Sequence, residues 1–208
     1  MKTAPDYSYE RAARAQGATR VVGTDEVGRG PLAGPVVAAA VWLDPDNIPE
    51  GLNDSKKLTA KRREALYDQI MAVADVCIGA CTVEEIDTHN ILRASHIAMT
   101  RAVEGLSQVA DYVLVDGNMI PRDLTIRAEA VVKGDSKSVS IAAASIIAKT
   151  WRDRLMVDLA QQYPGYGWEK NSGYPVKTHL EALQTLGVTP AHRRSFKPVH
   201  KILYQANN

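Results

Sequence analysis

From Val36 to Leu43 the chain reads Val-Val-Ala-Ala-Ala-Val-Trp-Leu, with no charged or hydroxylic side chain in the run. A strand with one wet face alternates apolar and polar residues, whereas an unbroken run rich in Val fits a strand covered on both faces. Such a strand needs structure above and below it, so the rest of the chain must supply two outer layers. Further strand-like stretches are Arg20 to about Glu26, Asp75–Thr82, Tyr112–Val115 and Thr125–Val132. Helical spacing predicts a helix over about Ala60–Ala74, with Leu66, Ile70 and Val73 inward and Thr59 as N-cap. Thr82 and Glu85 have capping-box spacing for a short turn, and a longer helix is expected over His89–Leu106. The longest helix is expected over Val139–Gln162, its first half so small and aliphatic that it should cross the interior. Leu180, Leu183 and Leu186 mark another helix stopped by Gly187, and Thr189-Pro190 has the form of a helix start. Early hairpins followed by strands that return through helices give an α/β fold with a mixed sheet.

At 208 residues the chain suits one domain, preceded over residues 1–19 by a short helix or loose arm. The formal net charge is +1, but residues 170–208 hold six Lys or Arg against Glu181, a net of +5 that leaves −4 elsewhere. A basic end on a mildly acidic body suits an anionic partner. The start has no apolar core of a secretory signal, and the longest apolar run is too short to span a bilayer. Cys77 and Cys81 fall on one face of a strand, too far apart for a comfortable disulfide, and are expected to be reduced core thiols of a cytoplasmic protein. No Cys/His spacing points to zinc, and nothing indicates a membrane or more than a monomer.

Four acids stand at strand ends or just beyond. Asp25 and Glu26 close the first strand before Gly28-Arg29-Gly30, Asp116 ends the fourth, and Asp135 precedes the longest helix. Functional groups in α/β sheets gather at the carboxyl ends of strands, so these acids can meet in space. Crowded carboxylates repel, and two hard cations such as Mg²⁺ or Mn²⁺ would relieve that repulsion and serve phosphodiester hydrolysis. The glycines of the turn leave its N–H groups open to an anion or a sugar hydroxyl. Lys56, Lys57, Lys133, Lys137 and Arg29 flank the acids and suit phosphates. Tyr174, between Gly173 and Pro175, is the aromatic expected to be exposed, whereas Tyr163 and Trp168 are expected to pack inside. Of the five histidines, His179 and His192 are the better candidates for substrate-side work. A binding module without chemistry remains a rival, and a phosphotransferase is disfavoured because no Gly-x-x-x-x-Gly-Lys-[Ser/Thr] occurs.

Gly23-Thr24-Asp25-Glu26-Val27-Gly28-Arg29-Gly30-Pro31-Leu32-Ala33-Gly34-Pro35-Val36-Val37 resembles the signature of bacterial ribonuclease HII, the type 2 ribonucleases H. Asp54-Ser55-Lys56-Lys57-Leu58, Val115-Asp116-Gly117, Lys133-Gly134-Asp135 through Ile147-Ala148-Lys149, Ser172-Gly173-Tyr174-Pro175 and His192-Arg193-Arg194-Ser195-Phe196 resemble its other motifs in order. The resemblance covers about residues 20–200. It implies a ribonuclease H-like five-stranded mixed sheet with flanking helices and a C-terminal helical extension, here about 165–208. It also implies cleavage of RNA in RNA–DNA hybrids and incision 5′ to ribonucleotides embedded in duplex DNA, leaving 3′-hydroxyl and 5′-phosphate ends. Ribonucleotide and primer removal from DNA would be the cellular roles. By position, Asp25, Glu26, Asp116 and Asp135 match the metal-binding acids, Asp25 being the bridging one. Gly28, Arg29 and Gly30 match the loop that recognises the 2′-hydroxyl, and Tyr174 the tyrosine that packs on the next deoxyribose. Val176 departs from the Thr common in the family, and the short N-terminal segment leaves no room for the extra domain typical of ribonuclease HIII. The proton donor to the leaving group is open among metal-bound water, Lys137 and His179.

Overall fold

The computed structural model describes residues 4–204. Strands β1 (Val21–Val27), β2 (Val36–Trp42), β3 (Asp75–Cys81), β4 (Tyr112–Asp116) and β5 (Ala128–Val131) form one sheet in the order β3-β2-β1-β4-β5. The β1–β2 and β2–β3 pairs are antiparallel, and the β1–β4 and β4–β5 pairs are parallel. The apolar run is β2, and all of it except Trp42 is buried. Its side chains alternate between two cores, as the two-residue period of a strand requires. Ala38 and Ala40 meet helix α4 (Ile91–Glu104) through Ala94, Ala98 and Ala102. Ala39 and Val41 meet helices α2 (Ala60–Val73) and α5 (Val139–Gln162) through Leu66, Ile70, Ala143 and Ile147. The first half of α5 is buried, because it lies directly on the centre of the sheet. Gly23 makes that approach possible: a Cβ there would stand 2.2 Å from the Ser140 carbonyl carbon.

The segment before β1 contains helix α1 (Ser8–Ala15). Ala13 and Ala18 pack with Val21, Leu114 and Ile141, so the helix is docked on the α5 side of the sheet. At the other end, helices α6 (Trp168–Asn171), α7 (Lys177–Leu186) and α8 (Lys197–Tyr204) form the C-terminal helical extension. Its core joins Trp168, Leu183 and Val199 to Met156 on the second half of α5 and to Leu32 and Ala33 after β1.

The short turn capped by Thr82 is helix α3 (Val83–His89), and the longer helix expected over His89–Leu106 is α4, separated from α3 at Asn90. Asn tolerates the positive φ of 66° there, and its side chain caps α4 by accepting from the Arg93 N–H. The fifth strand is shorter than Thr125–Val132. Thr189-Pro190 does not begin a helix, because Thr189 bonds to His192 Nδ1 and the chain then runs beside residues 32–34. Gly34 donates to the Ala191 carbonyl and Arg193 to the Leu32 carbonyl, both at 2.8 Å, so α8 starts only at Lys197. Both cysteines are free thiols, and burial pushes Cys81 up to about 11. Among the described residues no helix is long and apolar enough to cross a membrane.

Candidate active site

The sheet register builds the acidic cluster. Thr24 pairs with Val115 across the parallel β1–β4 ladder, so the next residues, Asp25 and Asp116, end side by side. Asp116 shares the face of Leu114, which looks toward α5. Asp25 is 7% exposed. Burial, followed by the charges of Glu26 and Asp116, holds its carboxyl well above the usual carboxylate range, with a hydrogen bond from Ser145 opposing. Asp116 is also raised, chiefly by burial, although the Gly134 N–H donates to it at 2.6 Å. That bond ties the loop after β5 to the end of β4 and brings in Asp135, raised by burial and then by Asp116 and Asp54. Glu26 follows Asp25 on β1, points to the opposite face and accepts from Arg29 at 3.3 Å. The four acids therefore wrap around one end of the sheet. Among the described residues no three Asp, Glu, His or Cys side chains are grouped so as to cage an ion as placed. Protein donors meet the acids instead, and a cation would relieve the repulsion that raises Asp25.

Two clefts flank Glu26. One, of about 170 Å³, is lined by Asp25, Ser55, Lys56, Ser145, Lys149 and Tyr174 besides Glu26. The other, of about 150 Å³, is lined by Arg29, His96, Asp116, Asn118 and Met119 among others. Lys56 thus joins the acids, whereas Lys137 is exposed and lines neither cleft. Tyr174 is 42% exposed and lies against Gly30, where a Cβ would come within 3.1 Å of its ring. The Leu32 N–H donates to the Gly173 carbonyl at 2.7 Å, which locks the two segments together.

Arg193, counted in sequence with the basic end, faces inward and is fully buried. It donates to the carbonyls of Gly28 at 2.6 Å, Arg29 at 3.2 Å, Pro31 at 2.8 Å and Gly34 at 2.9 Å. Arg152 does the same for Ala33, Pro35 and Ser172, each at 3.1 Å. Burial lowers the guanidiniums to about 9 and about 10, respectively. In a trans peptide the C=O and N–H point opposite ways. With carbonyls 28 and 29 turned toward Arg193, the N–H groups of Arg29 and Gly30 face away from it.

His179 and His192 are fully buried, which removes them as substrate-side groups and His179 as a proton donor to the leaving group. Trp168 Nε1 donates to His179 Nε2 at 3.0 Å, and the same nitrogen lies 3.1 Å from His192 Nε2. His192 therefore donates through Nε2 and accepts the Thr189 N–H at Nδ1, while His179 donates through Nδ1 to the Tyr174 carbonyl at 2.9 Å. Both imidazoles are neutral in this chain of bonds. Burial, then the neighbouring His179, lowers His192 to about 4.

The family model described as Ribonuclease HII matches residues 22–199. The chain belongs to the ribonuclease HII family. It is an enzyme, a nuclease of the ribonuclease H type that acts on RNA–DNA hybrids. It is 71% identical to the ribonuclease HII of Ruegeria pomeroyi over 203 residues, 98% of this chain and 87% of the relative. The crystal structure of ribonuclease H2 from Pyrococcus horikoshii superposes with a TM-score of 0.77 at 30% identity, covering 91% of this chain and all of that one. The fold is also that of Bst ribonuclease HIII in complex with Mn²⁺, at a TM-score of 0.75 and 21% identity over 94% of this chain and 73% of that one. The mixed sheet with flanking helices and a helical C-terminal region is thus the ribonuclease HII fold. Sequence reasoning missed Ser145 and His96 as cleft residues and assigned no site role to Lys149. Ser145 and Lys149 lie four apart on the largely apolar first half of α5, and that pair was the signal available.

Proposed function

We propose that this ribonuclease HII cuts the RNA strand of hybrids and also incises duplex DNA 5′ to an embedded ribonucleotide, leaving 3′-hydroxyl and 5′-phosphate ends. The observation that carries the reading is the juxtaposition of Asp25 and Asp116 with a Gly28–Gly30 loop that lies under Tyr174. Chemistry and readout then share one surface. An all-oxygen donor set of Asp25, Glu26, Asp116 and Asp135 suits Mg²⁺ or Mn²⁺. Two such ions, when bound, supply activation of the attacking water and stabilisation of the leaving oxygen. Asp25, at the centre of the cluster, would be a ligand to these ions and must be ionised to serve.

The N–H groups of Arg29 and Gly30 receive the 2′-hydroxyl, the group that distinguishes RNA from DNA. Tyr174 packs on the deoxyribose that follows, which a second 2′-hydroxyl would disturb. Lys56 holds a phosphate beside the acids, and Lys137 serves the flanking backbone. The test is a duplex DNA carrying one ribonucleotide, incubated with the protein and Mg²⁺ or Mn²⁺ beside an all-DNA duplex. The expected result is a single cut 5′ to the ribonucleotide and none in the control. Cleavage of long hybrids without that cut would remove the finer half of the proposal.

A further inference from the structure

The chemistry proposed for the site makes no use of Glu10, a fully buried carboxylate on α1. Its Oε1 accepts from Ser138 Oγ at 2.5 Å, from Ser140 Oγ at 2.6 Å and from the Ser140 N–H at 3.0 Å. Ser138 is the N-cap of α5, so the carboxylate sits at the positive end of that helix. Its other oxygen, Oε2, has no protein partner among the described residues. An oxygen buried in that way costs free energy, so the contact to α5 carries a penalty that a plain apolar tether would avoid. Four residues earlier the backbone joins in. The Asp6 N–H donates to the Lys137 carbonyl at 3.0 Å, and the Val139 N–H donates to the Asp6 carbonyl at 3.2 Å. Residues 6–10 therefore grip residues 137–140 by main chain and side chain together.

The gripped stretch begins two residues after Asp135. Upstream, Gly134 is fixed by its bond to Asp116, and the intervening turn closes through the Lys137 and Ser138 N–H groups on the Gly134 carbonyl, each at 2.8 Å. Asp135 thus hangs between two anchors, one on the sheet and one on the N-terminal segment. Asp25, Glu26 and Asp116 need no such help, because β1 and β4 hold them. We propose that Asp6–Glu10 is a strap that sets the position of Asp135 for divalent-cation binding, with Glu10 as its positioning residue. The strap lies outside residues 22–199, the part that matches the family. The inference rests on Asp135 being a metal ligand.

Full-length wild type, Glu10→Ala, Glu10→Gln and Ala13→Gly are compared, the last lowering the stability of the same helix without touching the strap's bonds. Mn²⁺ binding is titrated calorimetrically at a temperature where circular dichroism shows every variant folded, and the Mn²⁺ dependence of cleavage is measured alongside. Glu10→Ala should weaken Mn²⁺ binding by roughly tenfold, the lower end of what losing a ligand's support costs. Ala13→Gly should leave it unchanged, and Glu10→Gln, which keeps the acceptor oxygen, should recover most of the loss. Should Glu10→Ala fail to fold, Ser140→Ala removes one of the three bonds and should give a smaller shift in the same direction. Wild-type affinity in Glu10→Ala, or an equal loss in Ala13→Gly, overturns the strap. Absence of Mn²⁺ binding by the wild type would instead sink the metal reading of the site.

Discussion

Asp25 is a carboxylate placed where ionisation is least favourable, at the buried end of β1 beside two other acids. Its folded-state pKa is raised, so the native state holds a proton longer than the unfolded chain does. Stability is then lost as pH rises above the ordinary carboxylate range. In metal-free protein at neutral pH, Asp25→Asn should raise stability by about 0.5–2 kcal/mol, the range common for relieving a strained functional site, and so raise Tm. The same substitution should abolish cleavage, and the pair of readouts separates a catalytic carboxylate from a structural one. A lower Tm in calorimetry without metal would contradict this account. Tyr174 gives the converse case. Because it is half exposed, Tyr174→Ala should change stability by no more than about 0.5 kcal/mol. Loss of an aromatic platform worth about 1–3 kcal/mol should reduce kcat/KM at a single embedded ribonucleotide by roughly fivefold or more. The acids were legible in sequence because Asp25, Glu26 and Asp116 close apolar strands and Asp135 stands just before the long helix, and Tyr174 because glycine and proline fix its exposure. His96 was not, since an isolated polar residue on a helix shows its use only once the helix is packed.

The Gly28–Pro35 loop shows how an element can be held by residues distant in sequence. Its carbonyls converge on two buried guanidiniums, Arg152 from α5 and Arg193 from the segment before α8. In sequence Arg193 belongs to a run of basic residues and reads as solvated charge. Only the pairing of residues 191–193 with 32–34, which also displaced the expected helix at Thr189, turns it inward. Strands and the long helix were legible because periodicity is local. This loop was not, because its order comes from contacts across the chain. Arg193→Ala leaves at least four carbonyls short of a donor and should destabilise the protein by at least about 3 kcal/mol in urea unfolding. Arg193→Lys should recover little, because an ammonium cannot present the planar fork that reaches Gly28, Pro31 and Gly34 together. Full activity and stability in Arg193→Lys would show that charge alone suffices.

Across the whole molecule, the acidic sheet end and the helical C-terminal end meet at this loop, so the acids and the backbone proposed to read the 2′-hydroxyl share one scaffold. The junction has a built-in sensitivity to acid. His179 and His192 are buried neutral, and each ring nitrogen that could take a proton already accepts a bond from Trp168, Thr189 or the other histidine. His192 falls from 6.5 to about 4, chiefly through burial. The unfolded chain therefore binds the proton first as pH drops, and stability is lost between about pH 6.5 and pH 4. The full shift corresponds to at most about 3 kcal/mol at the acid end of that window. Asp25, Asp116 and Asp135 act in the opposite direction, since protonation relieves them, so the total pH profile mixes the two. Subtracting the profile of His192→Gln from that of the wild type isolates the histidine contribution. At pH 7 the variant should be less stable, because it loses the bonds to His179 and Thr189. That gap should narrow steadily toward pH 4.5 in urea unfolding, as the wild type alone bears the protonation penalty. A gap that stays constant from pH 7 to pH 4.5 would mean that His192 titrates no differently in the folded and unfolded protein.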